Sequence, residues 1–249
     1  MDISIKSHED IEQMRQSGKI AALILNEVAQ EAKPGVTTEF LNELAERLCK
    51  NHDVKPAFKG YTGFPAALCT SNNDVIVHGI PNNQPLKDGD VLGLDFGVIY
   101  HGWYSDTAVT VGVGDISFES RHLLSVAKKA LRLGIKKAKP GNTVGDIGNT
   151  VQRFVEKEGF SIVKELVGHG VGKDLHEEPQ IPNYGKRGKG EKLREGMVIA
   201  IEPMIIEGSP DIALDSDKFS YKSADGSYAA HFEHTIAITE KGPEVLTKI

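Results

Sequence analysis

The chain has 249 residues, 29 Lys and Arg against 35 Asp and Glu for a net charge of −6, two cysteines and 39% hydrophobic residues. This length allows one large domain or two small ones, and the acidic balance argues against a general nucleic-acid binder. Cys49 and Cys69, with no CxxC pair, argue against a disulfide framework and fit a reducing compartment, while apolar runs such as residues 20–25 are far too short to span a bilayer.

Residues 1–6 lack the apolar stretch of a secretory leader, so a soluble, cytoplasmic protein is expected. Ser7 and Asp10 stand at capping spacing before a helix. Its apolar positions Ile11, Met14, Ala21, Leu25 and Val28 follow a rough 3.6-residue period. Lys33-Pro34-Gly35 stops it. A second helix is expected from Thr38 to about Asn51, with Leu41, Leu44, Ala45 and Leu48 on its apolar face. Residues 66–70 and 75–77 read as strands, and Pro81-Asn82-Asn83 and Lys87-Asp88-Gly89 as turns. Two aspartate-bearing strands follow, around Asp95 and Asp106, with Gly102 and aromatic residues between them.

The order then repeats. A helix is expected over 118–138, ended by Lys139-Pro140-Gly141 as Lys33-Pro34-Gly35 ended the first. Thr143 caps another, with Val144, Ile147, Val151, Phe154 and Val155 on one face. Strands are expected near 162–167 and 198–201. The strand leading to Asp95 is echoed by the one leading to Glu202, and Asp106-Thr107 by Glu233-His234-Thr235. In each half a buried-looking strand ends on a carboxylate and the next strand begins with one. Lys33 precedes Asp95 by nearly the distance at which Lys139 precedes Glu202. Glu233 breaks the match, displaced by a polar segment around 209–229 that reads as an inserted hairpin or loop. The expected architecture is α/β, a single domain over 1–249 with related halves about 1–115 and 116–249.

Asp95 and Glu202 each end an apolar run that contains no Lys or Arg, and Asp106 and Glu233 open the strands that follow. A buried acid needs a partner, and four converging acids become tolerable when cations sit among them. Gly168-His169-Gly170-Val171-Gly172 places an imidazole where the backbone can approach another group closely. His176-Glu177-Glu178-Pro179 follows, and Val77-His78-Gly79 places another histidine at a strand end. Four carboxylates balance two divalent cations. An oxygen-rich set with one nitrogen suits Mn, Fe(II) or Co, admits Zn and suits Mg less. Two such ions would hold a bridging water, lower its pKa and polarise a carbonyl, which is machinery for hydrolysis. Cys69 has no sequence neighbour to activate it as a nucleophile, and the chain has no GxSxG or P-loop.

At these residues the chain resembles a known family, the type 1 methionine aminopeptidases in their short form without an N-terminal extension. The resemblance covers nearly the whole chain. It rests on Val77-His78-Gly79-Ile80-Pro81, Asp95 to Asp106-Thr107, Gly168-His169-Gly170-Val171-Gly172, His176-Glu177-Glu178-Pro179, Ile201-Glu202-Pro203 and Phe232-Glu233-His234-Thr235. It implies the pita-bread fold, a pseudo-twofold repeat of helix-helix-strand units around a central antiparallel sheet. It implies that Asp95, Asp106, His169, Glu202 and Glu233 ligate two divalent ions, with Asp106 and Glu233 bridging both. A metal-bridged hydroxide would then attack the first peptide bond of a nascent polypeptide and release the initiator methionine. His176 would stabilise the oxyanion, His78 would contact the scissile nitrogen or the next one, and Glu202 would transfer a proton as well as ligate.

Phe58, Tyr61, Phe64, Cys69, Leu175 and Phe219 match the family's apolar S1 pocket. Phe58 stands where a cysteine is common, Leu175 where an aromatic residue is common and Phe219 where a tryptophan is common. The resemblance further implies a small, uncharged second residue in the substrate and a monomer acting on chains emerging during synthesis. A transient ribosome contact would use the basic stretch near Lys186 to Arg194, otherwise read as a solvated face. No membrane or sequence-specific nucleic-acid partner is expected. The rivals are an Xaa-Pro aminopeptidase or prolidase of the same fold, which usually carries an added N-terminal domain, and a non-catalytic pita-bread binding protein. The latter usually loses ligands, and all five are present here.

Overall fold

Ser7 begins the first helix as its spacing predicts. Its hydroxyl accepts from the Asp10 amide while the Asp10 carboxylate accepts from the Ser7 amide, a full capping box at the start of α1 (His8–Gln30). The computed structural model describes residues 3–249. α2 (Thr38–Asn51) is capped by Thr37. A short 3-10 turn (Tyr61–Gly63) lies among the strands β1 (Lys55–Pro56), β2 (Cys69–Asn72), β3 (Val75–Val77), β4 (Val91–Tyr100) and β5 (Trp103–Gly112). The second half opens with α3 (Phe118–Ile135) and α4 (Val144–Lys157), the latter behind a Thr143–Asp146 capping box. Then come β6 (Ser161–Ile162), β7 (Gly168–Gly170), β8 (Glu177–Ile181), β9 (Val198–Ile201) and β10 (Met204–Ile206). The chain closes with β11 (Ile212–Leu214), β12 (Tyr221–Ser223), β13 (Ala229–His231), β14 (Glu233–Thr239) and β15 (Gly242–Val245).

Several boundaries differ from those expected. α1 ends at Gln30, with Glu31 still in the αR region and its amide donating to Val28 O, so the helix stops short of Lys33-Pro34-Gly35. Gly35 then turns at φ 88° and donates to Leu86 O at 2.8 Å. α3 stops before Ala138 in the same way, with Gly141 at φ 87° donating to Leu193 O at 3.0 Å. The strand expected at residue 66 starts at Cys69, since the Ala67 and Leu68 amides donate to Asn42 Oδ1 on α2 instead of pairing. The strand expected over 162–167 reduces to β6, after which Lys164 and Glu165 bend away. Phe154 is half-buried beside α4's core face, with Lys129 Nζ 4.9 Å from its ring centroid.

The main sheet is antiparallel, in the order β1-β4-β5-β14-β9-β7-β8, with β2 added to β4 and β15 to β14. β4 and β5 pair from Val91↔Gly112 to Tyr100↔Trp103, and His101-Gly102 closes the hairpin at φ 50° and 78°. Asp95 and Asp106 therefore lie inside these strands, whereas the sequence pattern suggested a strand end and a strand start. The hairpin runs well past both. Glu202 follows β9 and Glu233 opens β14, as expected. The order β4-β5-β14-β9 is symmetric about the β5–β14 seam, the pseudo-twofold repeat in the sheet itself.

Alternate side chains of these strands bury against the helices. Leu92, Leu94, Phe96 and Val98 of β4 share one apolar cluster with Leu25 and Val28 of α1 and Leu41 and Leu44 of α2. Ile199, Ile201, Ile236 and Ile238 share another with Leu123, Val126, Ile147 and Val151 of α3 and α4. Each such side chain contributes about 1.5–3 kcal/mol when fully buried. Of the remaining positions, Val198, Ala200 and Ala237 cluster with Ile11 and Met14 of α1, while Asp95, Asp106 and Glu233 face a cavity. The segment around 209–229 carries the β11–β12 hairpin, whose β12 pairs with β3 of the first half. That pairing brings Phe219 beside residues of the first half.

Candidate active site and metal centre

The sheet register decides which side chains can meet. Residues directly opposite in antiparallel strands share a face, as do residues two apart in one strand. Asp95 pairs with Ala108 across β4–β5, and Glu233 pairs with Ala108 across β5–β14. The small Ala108 thus separates two acids in one row, with Asp106 two residues away on the same face. The register of β14 with β9 places Ile201 opposite His234, so one step further Glu202 falls opposite Glu233. On the far side, Gly170 pairs with Ile199, which aligns His169 with Ala200, two residues before Glu202. Glycines flank His169 because the chains nearly touch: a Cβ at 168 would lie 2.4 Å from Ala200 O, and one at 170 would lie 2.3 Å from Glu178 O.

The five side chains converge. Asp106, His169 and Glu233 each place one ligand atom within 4.8 Å of the others. His169 Nε2 lies 3.8 Å from Asp106 Oδ2 and 3.5 Å from Glu202 Oε1. Burial raises all four carboxyl pKa values, and repulsion from neighbouring carboxylates raises Asp95, Asp106 and Glu233 further. Burial pushes His169 down to about 3, so its ring is neutral.

These groups fit divalent cations on two observations. Asp95 Oδ1, Asp106 Oδ1 and Glu233 Oε1 are buried and have no hydrogen-bond partner among the described residues. His169 Nδ1 lies 2.8 Å from Gly170 O, which can only accept, so the proton sits on Nδ1. The Nε2 lone pair then faces carboxyl oxygens at 3.8 and 3.5 Å, an arrangement that repels unless a proton or a metal cation stands between them. An oxygen-rich set with imidazole nitrogen is a divalent-metal donor set.

The acids open onto a cavity of about 380 Å³ that also takes in His78, His176, Phe58, Tyr61, Phe64, Cys69, Leu175 and Phe219. The candidate ligands, His78, His176 and the pocket residues therefore meet in one place, whereas the basic stretch 186–194 does not line it. Phe58, Phe64, Cys69 and Leu175 form one apolar cluster, with Tyr61 and Phe219 packed against it. Phe64 and Phe219 meet edge-to-face at 5.6 Å. The Cys69 thiol is pushed up by burial and by Asp95, Asp106 and Glu233, which opposes a thiolate nucleophile.

His78 and His176 stand open to water within the cavity, with protein enclosing their other sides. Partial enclosure lowers the His176 pKa, and enclosure, with His231 and His176 nearby, brings His78 down to about 4. His78 sits in the left-handed region at φ 59°, a conformation histidine adopts more readily than most residues. His176 packs edge-on to His169 at 4.3 Å between centroids, and its Nδ1 is 2.9 Å from Tyr61 Oη.

The motif reading missed His231. It is buried, lines the cavity, and holds Nε2 3.4 Å from Glu202 Oε2 without a hydrogen-bond partner. Its place two residues before Glu233, on a strand next to the acids, is the signal that could have found it.

The comparisons with known proteins agree with this geometry. The model of metallopeptidase family M24 matches residues 12–240. The methionine aminopeptidase of Clostridium acetobutylicum is 46% identical over 246 residues, covering 98% of this chain and 98% of that protein. The chain belongs to family M24, among the methionine aminopeptidases. Its structure superposes on the crystal structure of the methionine aminopeptidase from Thermotoga maritima with a TM-score of 0.98 at 44% identity, covering 100% of both chains. A prolidase from Pyrococcus horikoshii OT3 shares the pita-bread fold at lower likeness, with TM-score 0.79, 26% identity, 98% of this chain and 63% of that one. As an M24 metallopeptidase the chain is a hydrolase that uses divalent metal. Among the described residues, no helix is long and apolar enough to cross a membrane.

Proposed function

We propose that this enzyme removes the N-terminal methionine from nascent polypeptides whose second residue is small. Asp95, Asp106, His169, Glu202 and Glu233 would hold two divalent ions, from Mn, Fe(II), Co or Zn. The observation that carries this reading is the adjacency of two environments in one cavity, unpartnered buried acids at its floor and the apolar cluster of Phe58, Phe64, Cys69 and Leu175 on its wall. When bound, the metals supply Lewis-acid polarisation of the first peptide carbonyl and activation of water.

The chain's own residues do the rest. The apolar wall suits an unbranched thioether side chain and excludes charged ones. Tyr61 donating its hydroxyl proton to His176 Nδ1 would keep the imidazole proton on Nε2, free to donate to a carbonyl oxygen as negative charge develops there. Neutral His176 can do this without carrying charge at pH 7. His78, which lines the same cavity, would contact the scissile nitrogen or the one after it. Glu202, beside His231, accepts or returns a proton in addition to ligating. The whole chain works as a single catalytic domain, a cytoplasmic monomer meeting chains as they emerge from synthesis.

The test is a peptide panel with Mn(II) or Co(II) supplied to the purified enzyme. Release of methionine from Met-Ala-Ser but not from Met-Lys-Ser is expected. Preferential cleavage before proline would instead assign the prolidase activity of the same fold.

A further inference from the structure

Lys6 is a buried lysine, 5% exposed, whose Nζ lies 2.6 Å from Glu177 Oε2. A lysine goes inside almost only when paired. Its backbone is anchored too, the Lys6 amide donating to Gly196 O at 2.7 Å. Glu177 uses its second oxygen differently. Oε1 accepts from the Lys173 and Asp174 amides at 2.7 and 3.3 Å. One carboxylate therefore closes the turn over 172–176 and is itself held by Lys6.

Leu175 and His176 sit between those captured amides and Glu177 in the chain. Gly172 allows the parts to meet, since a Cβ there would lie 2.3 Å from Glu177 Oε1 and 2.7 Å from Lys6 Cε. The start of the turn is fixed to β5, where the Tyr104 amide donates to Gly172 O at 2.9 Å. Lys6 itself does not line the cavity.

We propose that Lys6, acting through Glu177, is a positioning residue that holds the 172–176 turn so that His176 meets Tyr61 and faces the acid cluster. Its effect on rate rests on the role for His176 proposed above. A charge-assisted hydrogen bond is short and directional, and removing the ammonium leaves a buried carboxylate that must find other partners. The carboxylate then no longer holds the two amides in one geometry, and the imidazole drifts.

The experiment compares Lys6→Met, Lys6→Arg, His176→Ala and the Lys6→Met/His176→Ala double variant on Met-Ala-Ser, with metal content and Tm measured alongside. Displacing a catalytic group by about 1 Å can cost 100-fold, so Lys6→Met should lower kcat by about 10- to 100-fold with a smaller change in KM. Lys6→Arg should recover most of the rate. The double variant should be no slower than His176→Ala alone, because both changes act on one group. Hydrogen exchange should quicken at the Lys173 and Asp174 amides in Lys6→Met. Should that variant fail to fold, Glu177→Gln keeps an acceptor for the amides and removes the charge, and the same outcomes apply.

Wild-type kcat with unchanged exchange would overturn the proposal, as would losses that multiply in the double variant. A wild-type rate for His176→Ala would instead remove the role of His176, and exchange at Lys173 and Asp174 would still decide whether Lys6 holds the turn.

Discussion

His169 is the side chain whose surroundings speak most plainly of a cation, since its only free ring position faces acids. His231 extends that reasoning to a residue outside the family motifs. Its Nε2 lies 3.4 Å from Glu202 Oε2, within reach of orienting that carboxylate. Removing such an outer partner typically weakens metal binding by about 10- to 100-fold. His231→Leu should therefore bind Mn(II) at least about 10-fold more weakly by competition titration. Unchanged affinity would leave His231 without a role at the centre.

Cys49 gives a pH prediction away from the site. Burial, and then Glu46, push its thiol up to about 12. In the unfolded chain a thiol titrates at about 8.5. Between those values the unfolded state binds fewer protons, so stability is lost as pH rises through that window. Cys49→Ala lacks this contribution. The Tm of wild type should fall relative to the variant between about pH 9 and about pH 11, where parallel curves would contradict the shift.

Among the elements, α1 docks on the β4–β5 hairpin through small residues. Ser17 Oγ lies 2.9 Å from Ser105 Oγ and donates within reach of Trp103 O, at 3.1 Å. Beside it, a Cβ at Gly18 would lie 2.7 Å from Leu246 O, a backbone atom that cannot swing aside. Alanine gains about 1 kcal/mol of helix propensity over glycine, but overpacking costs about 1–3 kcal/mol. Gly18→Ala should lower the Tm in thermal unfolding, and a rise would mean that the helix shifts freely on the sheet.

Helices were the most legible elements, because a 3.6-residue period and a capping pair are local signals. Ser7 with Asp10 caps as its spacing suggests, and Thr143 starts α4 as expected, its amide and hydroxyl donating to Asp146 Oδ2. Strand ends were less legible because pairing is decided elsewhere in the chain. Residues 67 and 68 are withheld from the sheet by Asn42, distant in sequence. Asp95 looked terminal because it closes an apolar run, yet the hairpin continues to Tyr100.

Taken whole, the molecule is two related halves joined at a seam. The paired residues there are few, Glu233↔Ala108 and His234↔Thr107, and threonine side chains supplement them. Thr235 Oγ1 donates to Asp106 O at 2.7 Å and accepts from the Asp106 amide at 3.0 Å. Thr107 Oγ1 donates to Glu233 O, and Thr110 Oγ1 to His231 O. Thr235→Val keeps the shape but leaves the buried Asp106 backbone unpartnered, at a cost of about 1–3 kcal/mol. Denaturant unfolding should show that loss, and metal binding should weaken with it, since the same residue carries a candidate ligand. A fully stable variant would mean that the seam does not depend on this bond.

The repeat itself was legible in the matched Lys-Pro-Gly stops and carboxylates. Gly35 and Gly141 do make equivalent bonds, to Leu86 O and Leu193 O. What could not be read was the register that sets Ala108 between Asp95 and Glu233, because strand order and alignment across the seam leave no local trace. His231 carried a local signal, two residues before Glu233, but its approach to Glu202 comes from a strand distant in sequence.

On the proposed function, acids from the two halves meet around divalent cations. Calorimetric titration of Mn(II) into metal-free protein under anaerobic conditions tests it most directly, with wild type and Glu233→Ala side by side. About two ions per wild-type chain at saturation, with at least one lost in the variant, are predicted. No saturable binding, or identical binding by both proteins, would contradict it.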